Sequence, residues 1–310
     1  MVDMHYDLLT IAYICYLNED YTMLKKIDNE INDNNGNIKY IFANLCFTDK
    51  ENMKNELNIN YYQENVSVLE MFKISKKVLN KYVKGVKFIY CIEGCTYINI
   101  DELDDLYKEG LRGITLTWND KNIYGSGIDT NSHLTNLGKL FINKAIDLGI
   151  GIDLSHTNEN TFYDIVQVLQ NNPKSIYYFS HSNIRKIEDR KRNLSDKQLN
   201  TLKNINCPLG IFSNKNFINK NCNSREELKL SYLKHIKYAV KNLGIDNVML
   251  STDDMRFCSS KNPIYNTLSI FNYDSLFIEI KRLLSKEFTP QEIEKIMYKN
   301  SKKIIDKLLT

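Results

Sequence analysis

A chain of 310 residues, 43% hydrophobic and 25% charged, has the make-up of an ordinary globular protein with enough apolar side chains for a large core. The formal net charge of +3 is too small at this length to mark an electrostatic nucleic-acid or membrane surface. No stretch approaches the roughly 18 uninterrupted apolar residues of a membrane span. The opening Met1-Val2-Asp3-Met4-His5 lacks a basic region followed by an apolar run, so a cytoplasmic protein without nucleic-acid or membrane partners is expected.

In chain order, eight short runs rich in Val, Ile, Phe, Tyr and Leu read as strands, over residues 2–8, 38–47, 86–93, 113–118, 149–156, 175–181, 208–213 and 247–253. Near-continuous apolar strands are what a parallel sheet covered on both faces requires. Helical periodicity between them is clearest over 69–82, 101–109, 137–148, 161–169, 196–204, 225–242 and 273–285. Ser195 is placed to cap the helix opening at Asp196. Thr289 followed by Pro290, with Glu292 beyond, opens a last helix. The Asn-rich residues 32–37 read as a helix-to-strand loop. No linker divides the chain, so residues 1–310 are expected to form a single (β/α)8 TIM barrel of the α/β class, a fold that commonly needs about 250 residues.

What ends these strands carries the chemistry. The first ends in His5-Tyr6-Asp7, the third in Glu93-Gly94, the fifth in His156, the sixth in His181 and the eighth in Asp253. Barrel enzymes place their catalytic groups at the C-terminal ends of the strands. With a period of two, His5 and Asp7 point the same way and can grip one ion. Taken singly, each has a plain structural reading: a chance HxD, a turn glutamate, a buried histidine. Together, metal-ligating types at the same end of so many strands indicate a metal centre. His, Asp and Glu suit zinc or a similar first-row ion. Five ligands (His5, Asp7, Glu93, His156, His181) are too many for one catalytic ion with an open position and fit two ions bridged by a carboxylate.

The remaining candidates read as structural. His133, before a helix, reads as solvated or capping, and His235 as a packing residue. The seven cysteines form no CxxC pair and read as reduced thiols, Cys91 and Cys95 among them although they share a face with Glu93. Residues 185–192 read as a solvated basic loop, apart from Arg192. Gly125-Ser126-Gly127 is too short for a phosphate loop.

The motifs resemble the membrane (renal) dipeptidase family of binuclear zinc peptidases, in the right order from residue 3 to about residue 304. Asp3-Met4-His5-Tyr6-Asp7 is similar to its opening motif and Ile92-Glu93-Gly94 to its bridging-glutamate motif. Gly110 to Asn119 resembles its fourth strand, and Leu134-Thr135-Asn136-Leu137-Gly138-Lys139 the helix start that follows. Asp153-Leu154-Ser155-His156 and Phe179-Ser180-His181-Ser182-Asn183 resemble its histidine motifs, and Arg192-Asn193-Leu194-Ser195-Asp196 its substrate-carboxylate segment. Gly244 to Val248, followed by Ser251-Thr252-Asp253, resembles its last strand.

The resemblance implies two zinc ions, one on His5, Asp7 and Glu93 and the other on Glu93, His156 and His181. It implies Arg192 on the substrate carboxylate, and Asp253 on the substrate amine and moving the proton, so Glu93 and Asp253 are the catalytic pair. The substrate would be a dipeptide, cut by a water activated between the ions. The chain departs from the family in two places. Trp118-Asn119, with Trp118 a candidate substrate contact, stands where animal members carry a histidine, and Asp253-Asp254-Met255-Arg256 replaces Asp-Phe-Asp-Gly. Two alternatives stay open. One is a related binuclear amide or ester hydrolase for another small carboxylate-bearing substrate, such as an N-acyl amino acid or a lactam. The other is a non-catalytic binding protein on the same barrel. Monomer or homodimer also stays open.

Overall fold

The computed structural model describes residues 1–46, 66–254 and 269–310. β1 (Val2–Tyr6), β5 (Gly151–Asp153), β7 (Leu209–Phe212) and β8 (Val248–Ser251) are buried at every position, which is why the sequence shows apolar runs there and not alternation. With β2 (Tyr40–Cys46), β3 (Lys87–Glu93), β4 (Leu111–Thr115) and β6 (Tyr177–Tyr178), all the ladders are parallel and neighbours follow chain order. β1 to β6 form one sheet and β7–β8 a second ladder. Single parallel bridges, Phe179 to Leu209 and Tyr6 to Asp254, join the two. The Phe179 amide donates to Pro208 O (2.9 Å) and the Asp253 amide to His5 O (3.0 Å) at these seams. The eight described strands therefore close on themselves, as the alternating pattern predicts.

Helices α1 (Leu8–Leu17) and α2 (Thr22–Asp33) both fall between β1 and β2 and were not anticipated from the sequence. Seven of the ten α1 residues are buried, so this helix has no polar face and its first residue, Leu8, reads as a continuation of the strand. It packs on α3 (Val68–Tyr82). Asn35 and Gly36 take left-handed conformations (φ 52° and 67°) in the loop after α2, as the Asn-rich stretch suggests. Next come α4 (Glu102–Lys108), α5 (Asn136–Asp147), α6 (Glu159–Gln170), α7 (Asp196–Asn204) and α8 (Arg225–Leu243). They are followed by α9 (Leu276–Leu284), α10 (Pro290–Glu294) and α11 (Asn300–Leu308), with a π turn over Lys295–Lys299 before the last. Ser195 and Thr289 both form capping boxes, with Gln198 and Glu292 answering them. No helix among the described residues is long and apolar enough to cross a membrane.

Two features position the site. First, the register of β1 on β2 slips between Asp3, paired with Ile41, and Tyr6, paired with Ala43. Such a bulge re-aims the side chains beyond it. Val2 and Met4 join an apolar cluster with Phe42, Ile89, Cys91, Tyr178 and Met249, roofed by Ile304, Ile305 and Leu308 of α11, while His5 turns to Glu93. Second, the strands stop short of the sequence-based bounds. His156, His181 and Asp253 lie past the last ladder residues of β5, β6 and β8. His156 (φ 65°) and Asp253 (φ 50°) are left-handed, a conformation that costs energy outside glycine and interrupts the extended run of the backbone.

Candidate metal centre

His5, Asp7, Glu93, His156, His181 and Asp253 converge at the mouth of the barrel, and all six are buried. His5 Nε2 lies 3.7 Å from Asp7 Oδ1 and 3.5 Å from Glu93 Oε2. On the other side of the same carboxylate, Glu93 Oε1 lies 3.0 Å from His156 Nε2 and 3.4 Å from His181 Nε2. Two triads able to hold an ion result, His5-Asp7-Glu93 and Glu93-His156-His181, and each offers three atoms within 4.8 Å of one another. A third grouping, His5-His181-Asp253, adds Asp253 to the set.

The donor set fits divalent cations. His5 Nε2, Asp7 Oδ1 and Glu93 Oε1 are buried without hydrogen-bonded partners. Leaving such groups unpaired costs roughly 1–3 kcal/mol each, and more when charged. Cations in the two triads, one beside His5 Nε2 and Asp7 Oδ1 and the other beside Glu93 Oε1, would remove that cost, and imidazole with carboxylate is the chemistry of zinc and similar ions.

The electrostatics of the bare side chains point the same way. Burial alone would raise the Glu93 carboxyl, but the positive charge of His5 beside it holds it well below the usual range. Burial would lower His5, yet Glu93 and Asp7 lift it well above its ordinary value. Burial, with the Arg192 charge next, lowers His156 to about 4. Burial, then His5, carries His181 far down, so both imidazoles stand neutral. Burial raises Asp7 to about 6 and Asp253 to about 7. Cations at the centre would favour the ionised form of each carboxyl.

The ligands are themselves held. His181 Nδ1 meets Ser180 Oγ at 2.6 Å, and the same hydroxyl bonds Asp153 Oδ2 and lies 3.5 Å from His5 Nδ1. Asp153 also accepts from Thr115 Oγ1 and from the Ser155 and Ser180 amides, each at 3.0 Å. His156 Nδ1 meets Asn119 Oδ1 at 2.8 Å. Gly127 packs so closely on Trp118 and Asn119 that a Cβ there would lie 2.0 Å from Trp118 O. That close approach is the use of the Gly125-Ser126-Gly127 turn. Asp3, buried beside His5, accepts from the Thr252 amide (2.8 Å), Thr252 Oγ1 (2.5 Å) and Tyr273 OH (3.2 Å), and so ties β1 to the end of β8.

Arg192 and Trp118 border the cluster. Arg192 is buried, donates from Nη2 to His181 O (2.8 Å) and sits over the Phe212 ring at 5.7 Å. Burial lowers its pKa, and the Asp253 and Glu93 charges oppose that. The Trp118 ring stacks on His156, centroids 6.0 Å apart. Asp254 is buried, whereas Met255, Arg256 and Cys258 lie outside the described residues.

The other candidates behave as their sequence settings suggest. His235 is buried in α8, accepts from the Ile184 amide (3.0 Å) and donates to Ile218 O (2.8 Å). His133 is exposed and pairs with Asp164 at 2.8 Å. Cys91 and Cys95 are buried free thiols that burial pushes far up. Sequence reasoning named Asp153, Ser180 and Asn119 only as members of motifs and gave them no role. Each lies within three residues of a singled-out position: Asp153 three before His156, Ser180 beside His181 and Asn119 beside Trp118.

Comparison with known proteins gives the chain's family and similar folds in outline. A protein of Klebsiella pneumoniae described as an uncharacterized protein in the pqqA 5' region is 27% identical over 195 residues, 57% of this chain and 70% of its own length. An uncharacterized dipeptidase of Schizosaccharomyces pombe is 25% identical over 212 residues, 60% of this chain but 50% of that protein. The crystal structure of a metallo peptidase from Rhodobacter sphaeroides, liganded with a phosphinate mimic of the dipeptide L-Ala-D-Ala, superposes with a TM-score of 0.72. That match covers 99% of this chain and 98% of the other at 17% identity, a likeness of fold. The model of one family matches residues 52–309, most of the chain and every centre residue except His5 and Asp7, and the chain therefore belongs to the membrane dipeptidase family (peptidase family M19).

Proposed function

We propose that the protein is a metal-dependent dipeptidase that hydrolyses the amide bond of small dipeptides with two zinc ions at the barrel mouth. The observation that carries this reading is the pair of triads sharing Glu93, one oxygen toward His5 and the other toward His156 and His181. His5, Asp7 and Glu93 would hold one ion, and Glu93, His156 and His181 the other. Bound there, the cations supply Lewis acidity and a lowered pKa for the attacking water.

The protein's own groups do the rest. Arg192 binds the substrate's C-terminal carboxylate, which a guanidinium fork matches in shape and charge. Trp118, stacked on His156, forms a wall of the substrate site. Asp253, beside His5 and His181, takes a proton from the attacking water and passes it to the leaving nitrogen. A carbon–oxygen bond forms, the amide carbon–nitrogen bond breaks, and the amine departs neutral.

The test is a substrate panel on metal-loaded protein: free dipeptides including L-Ala-D-Ala, their C-terminal amides, N-acyl amino acids and a p-nitrophenyl ester. Free dipeptides should be the best substrates. Turnover of N-acyl amino acids or the ester with no dipeptide cleaved would overturn the dipeptidase reading in favour of a related hydrolase. No turnover of any substrate would favour a binding protein.

A further inference from the structure

The loop that carries Arg192 is held from outside by side chains. Three consecutive carbonyls each accept a side-chain hydrogen bond. Arg185 Nη2 reaches Lys191 O (3.0 Å), Ser182 Oγ reaches Arg192 O (2.8 Å) and Arg185 Nε reaches Asn193 O (2.9 Å). The third arm of Arg185, Nη1, pairs with Glu159 Oε1 at 2.7 Å. Glu159 is the first residue of α6, three positions after His156, where the positive end of the helix favours a carboxylate. Backbone bonds close the same loop: the Arg185 amide donates to Leu194 O (2.9 Å) and the Leu194 amide to Asn183 O (2.8 Å).

We propose that Arg185 is a positioning residue that sets the affinity for a free substrate carboxylate. It grips the carbonyls on both sides of Arg192 and anchors them to the helix that follows His156. The inference rests on the carboxylate-binding reading of Arg192 given above. Arg185 and Glu159 are both partly exposed, so their ion pair adds little by itself. What matters is the shape of the guanidinium. Its planar fork serves two carbonyls and a carboxylate at once, which the single ammonium of lysine does not. With the backbone at 191–193 fixed, Arg192 keeps its hydrogen bond to His181 O and its charge beside Asp253 and Glu93. Released, it has to be ordered anew by each substrate.

The experiment compares wild type, Arg185→Ala, Arg185→Lys, Arg192→Ala and the double alanine variant. Each is checked for metal content and melting temperature, and assayed on a free dipeptide and its C-terminal amide. Arg185→Ala should lose between about tenfold and a hundredfold in kcat/KM on the free dipeptide, mostly through KM, and change little on the amide. Arg185→Lys should recover only part of the loss, and it serves as the reporter where the alanine variant fails to fold. Because Arg185 acts through Arg192, adding Arg185→Ala to Arg192→Ala should cost nothing more. If Arg192→Ala discriminates free from amidated substrate and the Arg185 variants do not, the inference is overturned while the functional reading stands. If Arg192→Ala fails to discriminate, or wild type cleaves no dipeptide, the functional reading falls and takes the inference with it.

Discussion

The Nε2 atoms of His156 and His181 stand 3.0 Å apart, and both face Glu93 Oε1. Their Nδ1 partners decide what those atoms are. Asn119 Oδ1 accepts, so His156 carries its proton on Nδ1. The Ser180 hydroxyl donates to Asp153 and leaves a lone pair for the Nδ1 proton of His181. Two Nε2 lone pairs and a carboxylate oxygen then point at one another, an arrangement that repels itself until a cation lies between them. Asp153 and Asn119 thus shape the centre without belonging to it.

Asp153→Asn should therefore weaken metal binding by about 10–100-fold, since the groups that orient metal-ligating histidines are typically worth that much. The fold should persist, because the amide keeps an acceptor for the Ser180 amide. Competition with a chromophoric chelator measures this, and an unchanged affinity would leave Asp153 as a packing residue.

His235 tests the reading of a histidine as structural. Burial holds it at about 4, below its ordinary 6.5, so the folded protein keeps it neutral while the unfolded chain protonates. Its contribution is complete above about pH 6.5 and is lost as the pH falls toward 4. The full difference is about 3 kcal/mol. His235→Gln should lower stability at pH 8 and flatten the loss between pH 6.5 and 4.5. Urea unfolding of both proteins across that range gives the comparison, with other titrating groups common to both. A constant difference at every pH would contradict it.

Much of this was legible in the sequence, for physical reasons that also mark where legibility stopped. Parallel strands buried on both faces advertise themselves as apolar runs, so all eight were found. Their ends were overdrawn at His156, His181 and Asp253, because an apolar run does not show where the backbone leaves the ladder. Parity placed His5 and Asp7 together, although a register slip between Asp3 and Tyr6 goes with His5 facing Glu93. α1 escaped because it has no polar face, while α2 carries Leu24, Ile27 and Ile31 at helical spacing, a readable signal. Asp153 was seen only as part of a motif, because its partners Thr115 and Ser180 come from other segments of the chain, and Arg185 lay inside a basic run where one arginine looks like the next.

The proton-transfer role rests on Asp253. Asp253→Asn should keep the metals and lower kcat on a dipeptide by about 10²–10⁴-fold, with a smaller loss on a p-nitrophenyl ester. An amine leaves poorly without a proton, whereas a phenolate leaves unaided. A metal-loaded variant with wild-type dipeptide turnover would remove Asp253 from the chemistry.

The central claim is that the two triads around Glu93 together hold the ions that make the protein a dipeptidase, and a metal titration tests it most directly. Protein stripped by a chelator should regain hydrolysis of a free dipeptide as zinc is added, with bound metal and activity both levelling at two equivalents per chain. Glu93→Gln should abolish that two-equivalent plateau, because a neutral amide does not bridge two cations as a carboxylate does. Binding that saturates at one equivalent, or full activity that survives complete removal of metal, would contradict the account.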